Sequence, residues 1–493
     1  MNDLWPGLCA AAALIALLAL VIRWQVHAFL ALFVVSLGLG LVAGLAPAQV
    51  LDSIHKGIAD ILREVLLLLA FGAILGRLLE VSGAAELIAR RLIHALGEKN
   101  TSFAVLIAAF IVGIPILFNV GFLVLIPIVW RLQRETKRSL LFFLLPLAFS
   151  LGITHSLVPP HPGIVGAVNA LAGRAADRVM VETIIFGIAL SFPLALVGWF
   201  GPGRFWAQRQ FVTAPENMSA DTTKPDAQGQ FTTAEHLAKP APRGAQSFAL
   251  ALTIILAPLV LSVAGFGAKL LQDLHLLPER MTWTLFDAND LPAFLRWLNH
   301  SALDWLQFFG KPTVALFVPM ALALWSYGLR QGQSHKQLAK LIGDALIEVG
   351  GMVFLFGAAG GFKEVIQATG VGDYLARQML LLPLSPVAVA FCIAALVRIA
   401  LGSATAAILT ASALLAGLAA SMPGRETLLV LSVACGVTVG TQPADSGFWM
   451  IKEYGNLSTT DVMLRINGCR LSMALTGLAI LLLSEWLLRV FLA

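Results

Sequence analysis

Apolar runs long enough to cross a bilayer, about 17–25 residues each, recur along this chain near 5–22, 28–46, 61–82, 180–200, 247–270, 312–329, 344–366 and 470–492. Each half also carries two longer apolar stretches that are interrupted. In the first half, 103–130 is broken by G-I-P-I-L-F-N-V-G, and 139–172 is broken by T-H-S-L-V-P-P-H-P-G-I-V-G at 154–166. In the second half, 386–421 carries R-I-A-L-G-S-A-T and 427–456 carries G-T-Q-P-A-D-S-G. A helix cannot continue through Pro159, Pro160 and Pro162, because proline lacks the N–H and clashes with the preceding turn. Backbone groups freed at membrane depth must be buried in protein or line a wet cavity. The pattern therefore predicts helices broken at the midplane, the arrangement in which carriers hold cargo.

Composition sharpens the class. The chain is 58% hydrophobic and 12% charged, with a mean hydropathy of +0.84, whereas soluble domains average about 25% charged residues. This predicts an all-α polytopic membrane protein. The net charge of +5 resides in short loops, where Lys and Arg set topology, and gives no reason to expect nucleic acid. Cys9, Cys392, Cys435 and Cys469 lie in apolar segments without a CxxC pair, so neither a disulfide framework nor a metal site is expected. The first run follows Asp3 and lacks the basic flank of a signal peptide, which predicts a retained span.

Residues 203–246 are rich in Thr, Pro, Ala and Gln and read as a cytoplasmic linker. It separates an N-terminal transmembrane unit, 1–202, from a C-terminal one, 247–493. Within the latter, 271–311 reads as an extracytoplasmic loop whose Trp283, Trp297 and Trp305 suit interfacial helices, although simple loop packing explains them equally well.

The two units are related. Lys56, Asp60, Glu64 and Val65 recur as Lys340, Asp344, Glu348 and Val349, an offset of 284. Gly152, Thr154, Pro159 and Gly163 recur at the same offset as Gly436, Thr438, Pro443 and Gly447. Arg90, Arg91, His94 and Lys99 precede 103–130, and Arg131, Arg134, Lys137 and Arg138 follow it. Both ends of that stretch thus look cytoplasmic, which predicts a re-entrant hairpin with its tip near Pro115–Asn119. Its counterpart, 386–421, lacks such flanks and would enter from outside. Each half then has about five spans plus one hairpin, and the odd number of crossings inverts the second repeat.

Chemistry concentrates at the breaks. The hairpin tips supply Asn119 and Gly402, Ser403 and Thr405; the second broken helix supplies Thr441, Asp445 and Ser446. Helix starts rich in Gly and small hydroxyls point N–H groups at a cavity and favour an anion; close helix packing is the competing explanation. Thr154, His155, Ser156, Pro160 and His161 belong to the first broken helix. The two histidines, six residues apart, lack the i, i+4 spacing of a helical metal pair. They suit proton exchange or hydrogen bonding to loop carbonyls. A carboxylate within an apolar segment asks for a partner or a function, so Asp445 is a candidate for coupling. Arg398 could pair with Asp445 or with a substrate carboxylate.

At these residues the chain resembles the gluconate permease family, the gluconate:proton symporters of bacterial inner membranes. The resemblance spans essentially the whole length and rests on G-I-P-I-L-F-N-V-G-F-L-V-L-I-P-I (113–128), H-S-L-V-P-P-H-P-G (155–163), A-L-V-R-I-A-L-G-S-A-T (395–405) and D-S-G-F-W-M-I-K-E-Y-G-N-L-S (445–458). It implies a multi-pass inner-membrane secondary transporter that imports gluconate or a related sugar acid with protons by alternating access. It needs no cofactor and performs no enzymatic step, and a homodimer is compatible with it. Among site residues it points to His155, Pro159, Pro160, His161, Ser403, Thr405 and Asp445, with coupling at His155, His161 and Asp445. Two positions depart from the family motif: Asn119 replaces an acidic residue and Leu401 a glutamine. A sodium-coupled carrier of another small carboxylate, with Asn119, Ser403 and Thr405 as an ion cage, is the alternative.

Overall fold

The computed structural model describes residues 4–97, 100–215, 224–225, 231–232, 247–273, 302–381, 383–443 and 445–491. The first half runs α1 (Trp5–Leu18), α2 (Ala28–Val42), α3 (Pro47–Val81), α4 (Ala84–Leu96), α5 (Thr101–Gly113), α6 (Phe118–Thr136), α7 (Leu141–Leu157), α8 (Pro162–Ala172), α9 (Ala176–Gly198) and α10 (Arg204–Arg209). The second runs α11 (Phe248–Asp273), α12 (Ala302–Gly310), α13 (Pro312–Ala323), α14 (His335–Ala368), α15 (Val371–Leu381), α16 (Pro386–Leu401), α17 (Ala404–Ala420), α18 (Glu426–Gly436), α19 (Ser446–Tyr454) and α20 (Asn467–Phe491). The fold is all-helical apart from a two-residue antiparallel pairing of Lys224–Pro225 with Phe231–Thr232.

The breaks fall where the proline and glycine strings lie. α5 gives way to α6 at 114–117, α7 to α8 at 158–161, α16 to α17 at Gly402 and Ser403, and α18 to α19 at 437–445. At 1.5 Å per residue, α5, α8, α18 and α19 are each ~14–20 Å long, well short of a ~30 Å hydrocarbon layer. None of these four can cross alone, so their ends meet inside the protein.

Some boundaries differ from the hydropathy reading. α3 starts at Pro47 and α14 at His335, well before the apolar runs at 61 and 344, because helix-forming polar residues extend both. Ser334 caps α14 reciprocally: its Oγ accepts from Gln337 N at 3.3 Å, while Ser334 N donates to Gln337 Oε1 at 2.8 Å. Lys56, Asp60 and Glu64 therefore lie inside a helix. After α9 a kink at Gly201 (ψ −115°) leads into α10, so helix persists seven residues past 202, into the stretch read as linker. Trp305 stacks on Phe309 within α12 at 5.9 Å; Trp283 and Trp297 lie outside the described residues.

α3 and α14 cross where glycines face each other. A Cβ on Gly57 would stand 2.2 Å from the Gly360 carbonyl oxygen, so backbone packs directly on backbone, as small residues permit in membranes. The halves also meet at the broken helices. α8 packs on α17, and a Cβ on Gly163 would lie 2.9 Å from Ile408 Cδ1 and 3.4 Å from Thr405 Cα.

Candidate functional site

The site begins with the two breaks of the second half. α16 ends because Gly402 takes φ +77°, a left-handed geometry open to glycine without strain. Ser403 then caps α17, its Oγ accepting from Ala406 N at 3.4 Å. Arg398, one turn before the break, is 1% exposed. Its Nη1 donates to the Gly402 carbonyl, its Nε to the Gly440 carbonyl at 2.9 Å, and its Nη2 to Asp445 Oδ2 at 2.5 Å. One guanidinium thus satisfies carbonyls freed at both breaks, the requirement imposed by a dry interior, and ties the α16–α17 tip to the α18–α19 break.

Asp445 is the N-cap of α19. Its Oδ1 accepts from Gly447 N at 3.0 Å, and its Oδ2 also accepts from Thr441 Oγ1 at 3.2 Å. Of the two partners considered for Arg398, Asp445 is in contact with it.

Two residues not singled out from the sequence complete the group. Asn467 grips the Thr441 backbone from both sides, accepting from its N at 2.8 Å and donating to its O at 2.9 Å. Gly440 leaves space for this amide; a Cβ there would stand 3.1 Å from Asn467 Cγ. One turn later on α20, Arg470 lays its guanidinium on Gly152 of α7, with Nη2 3.1 Å from where a Cβ would be. Arg470 has no hydrogen-bond or ion-pair partner among the described residues. The cluster therefore sets two guanidinium groups against one carboxylate.

The two histidines contact each other. His161 Nε2 lies 2.7 Å from the Gly113 carbonyl, which only accepts, so the proton is on Nε2. In the neutral ring Nδ1 is then an acceptor, and His155 Nδ1, 3.2 Å away, donates to it. That assignment leaves Nε2 of neutral His155 with a lone pair and no proton. His155 feels the charges of Asp445, Arg470 and Arg398, which makes it the histidine on the side of the charged cluster.

The remaining candidates are distributed. Asn119, at the start of α6, donates from Nδ2 to Ser446 Oγ at 3.1 Å, joining the first-half tip to α19 beside Asp445. Thr405 is buried next to Gly163. Thr154 and Ser156 direct their hydroxyls at carbonyls of their own helix, Ser150 at 2.9 Å and Gly152 at 3.0 Å. Those hydroxyls spend their proton within α7 and keep only lone pairs for another contact. Pro160, with Pro159 and Pro115, borders an apolar crevice whose walls include neither Arg398 nor Asp445. Among the described residues no group of three His, Cys, Asp or Glu side chains could hold a metal.

Residues 5–487 match the family model described as GntP family permease. A gluconate permease of Pseudomonas aeruginosa is 30% identical over 483 residues, covering 98% of both chains. The inner membrane permease YgbN of Escherichia coli is 35% identical over 458 residues, covering 92% of this chain and 93% of its own. Among solved structures, MtrF of Neisseria gonorrhoeae, described with a class of antimetabolite efflux pumps, superposes with a TM-score of 0.59 at 14% identity, covering 92% of this chain and 93% of its own.

Proposed function

Because the chain belongs to the GntP family of permeases, we propose that it imports gluconate or a closely related sugar acid by proton symport with alternating access. It is a multi-pass inner-membrane permease and not an enzyme. The observation that carries the substrate reading is the imbalance at the breaks: Asp445 pairs with Arg398, while Arg470 beside them feels the same single carboxylate and has no ion pair of its own among the described residues. A sugar acid carboxyl has a pKa near ~3.5 by analogy with α-carboxyls, so the cargo is a monoanion that neutralises Arg470. Its hydroxyls have Ser403, Thr405, Asn119 and Ser446 within the same set of helix ends.

In this reading His155 takes the coupled proton on Nε2, His161 holds the ring in the receptive tautomer, and Asp445 provides the nearby negative charge. One proton per monoanion is electroneutral and draws only on the pH gradient, ~1.4 kcal/mol per unit. A second proton would add ~2.3 kcal/mol per 100 mV.

The architecture proposed from the sequence fits this mechanism. Both halves follow one succession: a long helix (α3, α14), a short one (α4, α15), two broken pairs (α5–α6 with α7–α8, α16–α17 with α18–α19) and a further long helix (α9, α20). We read these as inverted repeats, 1–202 and 247–493, joined by a cytoplasmic linker, with the hairpins re-entrant from opposite faces.

Uptake of labelled gluconate into proteoliposomes tests the reading. An inward proton gradient at clamped voltage should drive accumulation. Accumulation that follows a sodium gradient and ignores pH would overturn proton coupling; absence of gluconate counterflow would overturn the substrate.

A further inference from the structure

A second charged pocket, whose walls include neither Arg398, Arg470 nor Asp445, lies where α10 meets the α6–α7 junction. The kink at Gly201 ends the apolar run of α9, and α10 turns Trp206 and Ala207 into the protein while Arg204, Phe205, Gln208 and Arg209 face outward. The next residues bind α10 to the α6–α7 junction. Leu140 N donates to Val212 O at 2.7 Å, Val212 N to Ser139 Oγ at 3.1 Å, and Ser139 Oγ to Gln210 O at 2.8 Å. This strap brings Lys137 and Arg138 alongside Arg204 and Arg209 around an open cavity of about 570 Å³.

Four cations line that cavity and none of its walls is acidic. None of the four has a carboxylate within ion-pair distance among the described residues, and two of them contact rings instead. Arg209 lies 3.8 Å above Phe205 and Arg138 lies 5.9 Å from Phe142. Phe211 is one of its walls and Phe205 lies under Arg209; the two rings are 66% and 54% exposed. Aromatic rings above a basic cluster at the end of a span mark the headgroup level of a bilayer, and guanidinium pairs match phosphate oxygens bidentately.

From this geometry we infer that Lys137, Arg138, Arg204 and Arg209 form a binding site for the phosphate headgroup of an anionic phospholipid, with Phe205 and Phe211 against its acyl chains. The lipid would bridge α6, α7 and α10, and so brace from outside the two elements that carry Asn119 and His155. A soluble phosphate ion shares the headgroup's chemistry but makes no use of the exposed rings, which is why the lipid is the occupant named.

The test compares the full-length protein in nanodiscs of phosphatidylcholine alone and of phosphatidylcholine with phosphatidylglycerol, and measures lipid retained after extraction by native mass spectrometry. The wild type should retain phosphatidylglycerol selectively. R204Q/R209Q should weaken that binding about 30-fold, from ~1 kcal/mol per basic residue at an anionic surface, while R204K/R209K, which keeps the charge but loses the bidentate fork, should fall between it and the wild type. Equal retention of both lipids by the wild type, a result that needs no variant to fold, would overturn the site. So would undiminished retention by R204Q/R209Q, or displacement of the lipid by inorganic phosphate at equal concentration.

Discussion

Arg398 and Asp445 lie 47 positions apart in sequence, yet Nη2 and Oδ2 are 2.5 Å from each other, and the contact bridges two interrupted helices. Arg398 is fully buried whereas the Asp445 side chain is 22% exposed. Removing the carboxylate would therefore strand a buried cation. Asp445→Ala should cost ~3–5 kcal/mol, seen as a lowered melting transition in detergent. The Arg398→Ala/Asp445→Ala double variant should recover part of that loss, and strict additivity would show that the two side chains act independently.

Arg470 should behave in the opposite way, because it anchors no described neighbour. Arg470→Gln should leave the melting transition within ~1 kcal/mol of wild type and raise the KM for gluconate about 10- to 100-fold, the range of one charge-assisted hydrogen bond. Concentration-dependent uptake checks this, and an unchanged KM would remove Arg470 from the binding set.

The two histidines should separate in their pH dependence. His155→Gln removes the lone pair offered at Nε2 and should flatten the uptake profile measured between about pH 5 and 8. His161→Gln keeps a donor for the Gly113 carbonyl and should lower the rate several-fold while preserving the profile's shape. Initial rates across that range decide it, and identical profiles for both variants would end that division of roles.

Backbone contact between α3 and α14 gives a prediction about stability alone. Gly57→Ala would place a methyl 2.2 Å from Gly360 O and should destabilise by at least ~1–3 kcal/mol, as overpacking does. Gly357→Ala, about one turn before Gly360 in the same interface, meets nothing closer than Ile58 Cγ2 at 3.5 Å and should be nearly neutral. Melting curves of the pair make the comparison.

The positions of the breaks were legible because proline and glycine act locally: G-I-P-I-L-F-N-V-G and H-S-L-V-P-P-H-P-G stop helices wherever they occur. The pairing of Arg398 with Asp445 was one of two readings that burial of charge allowed. Arg470 was not legible. A charge at the edge of an apolar run looks like an interfacial anchor, and only the start of α20 at Asn467 draws it in against Gly152. The hydroxyls of Thr154 and Ser156 illustrate a second gap, since rotamer choice within α7 decides whether they face a ligand or their own helix. The extra turns of α3 and α14 were hidden because hydropathy measures burial in lipid, whereas capping at Ser334 sets where a helix begins.

The two-to-one count of guanidinium groups over carboxylate has an electrical meaning. With its histidines neutral, an empty cluster of Arg398, Arg470 and Asp445 carries one positive charge through the membrane field, and a bound monoanion cancels it. A loaded site without a proton thus crosses without sensing voltage, while the vacant site is held at the negative side by up to ~2.3 kcal/mol per 100 mV. In the proposed symport that step is the return stroke, so the resting potential brakes the recycling of the carrier, whereas a loaded site that also carries its proton bears one positive charge and is drawn inward.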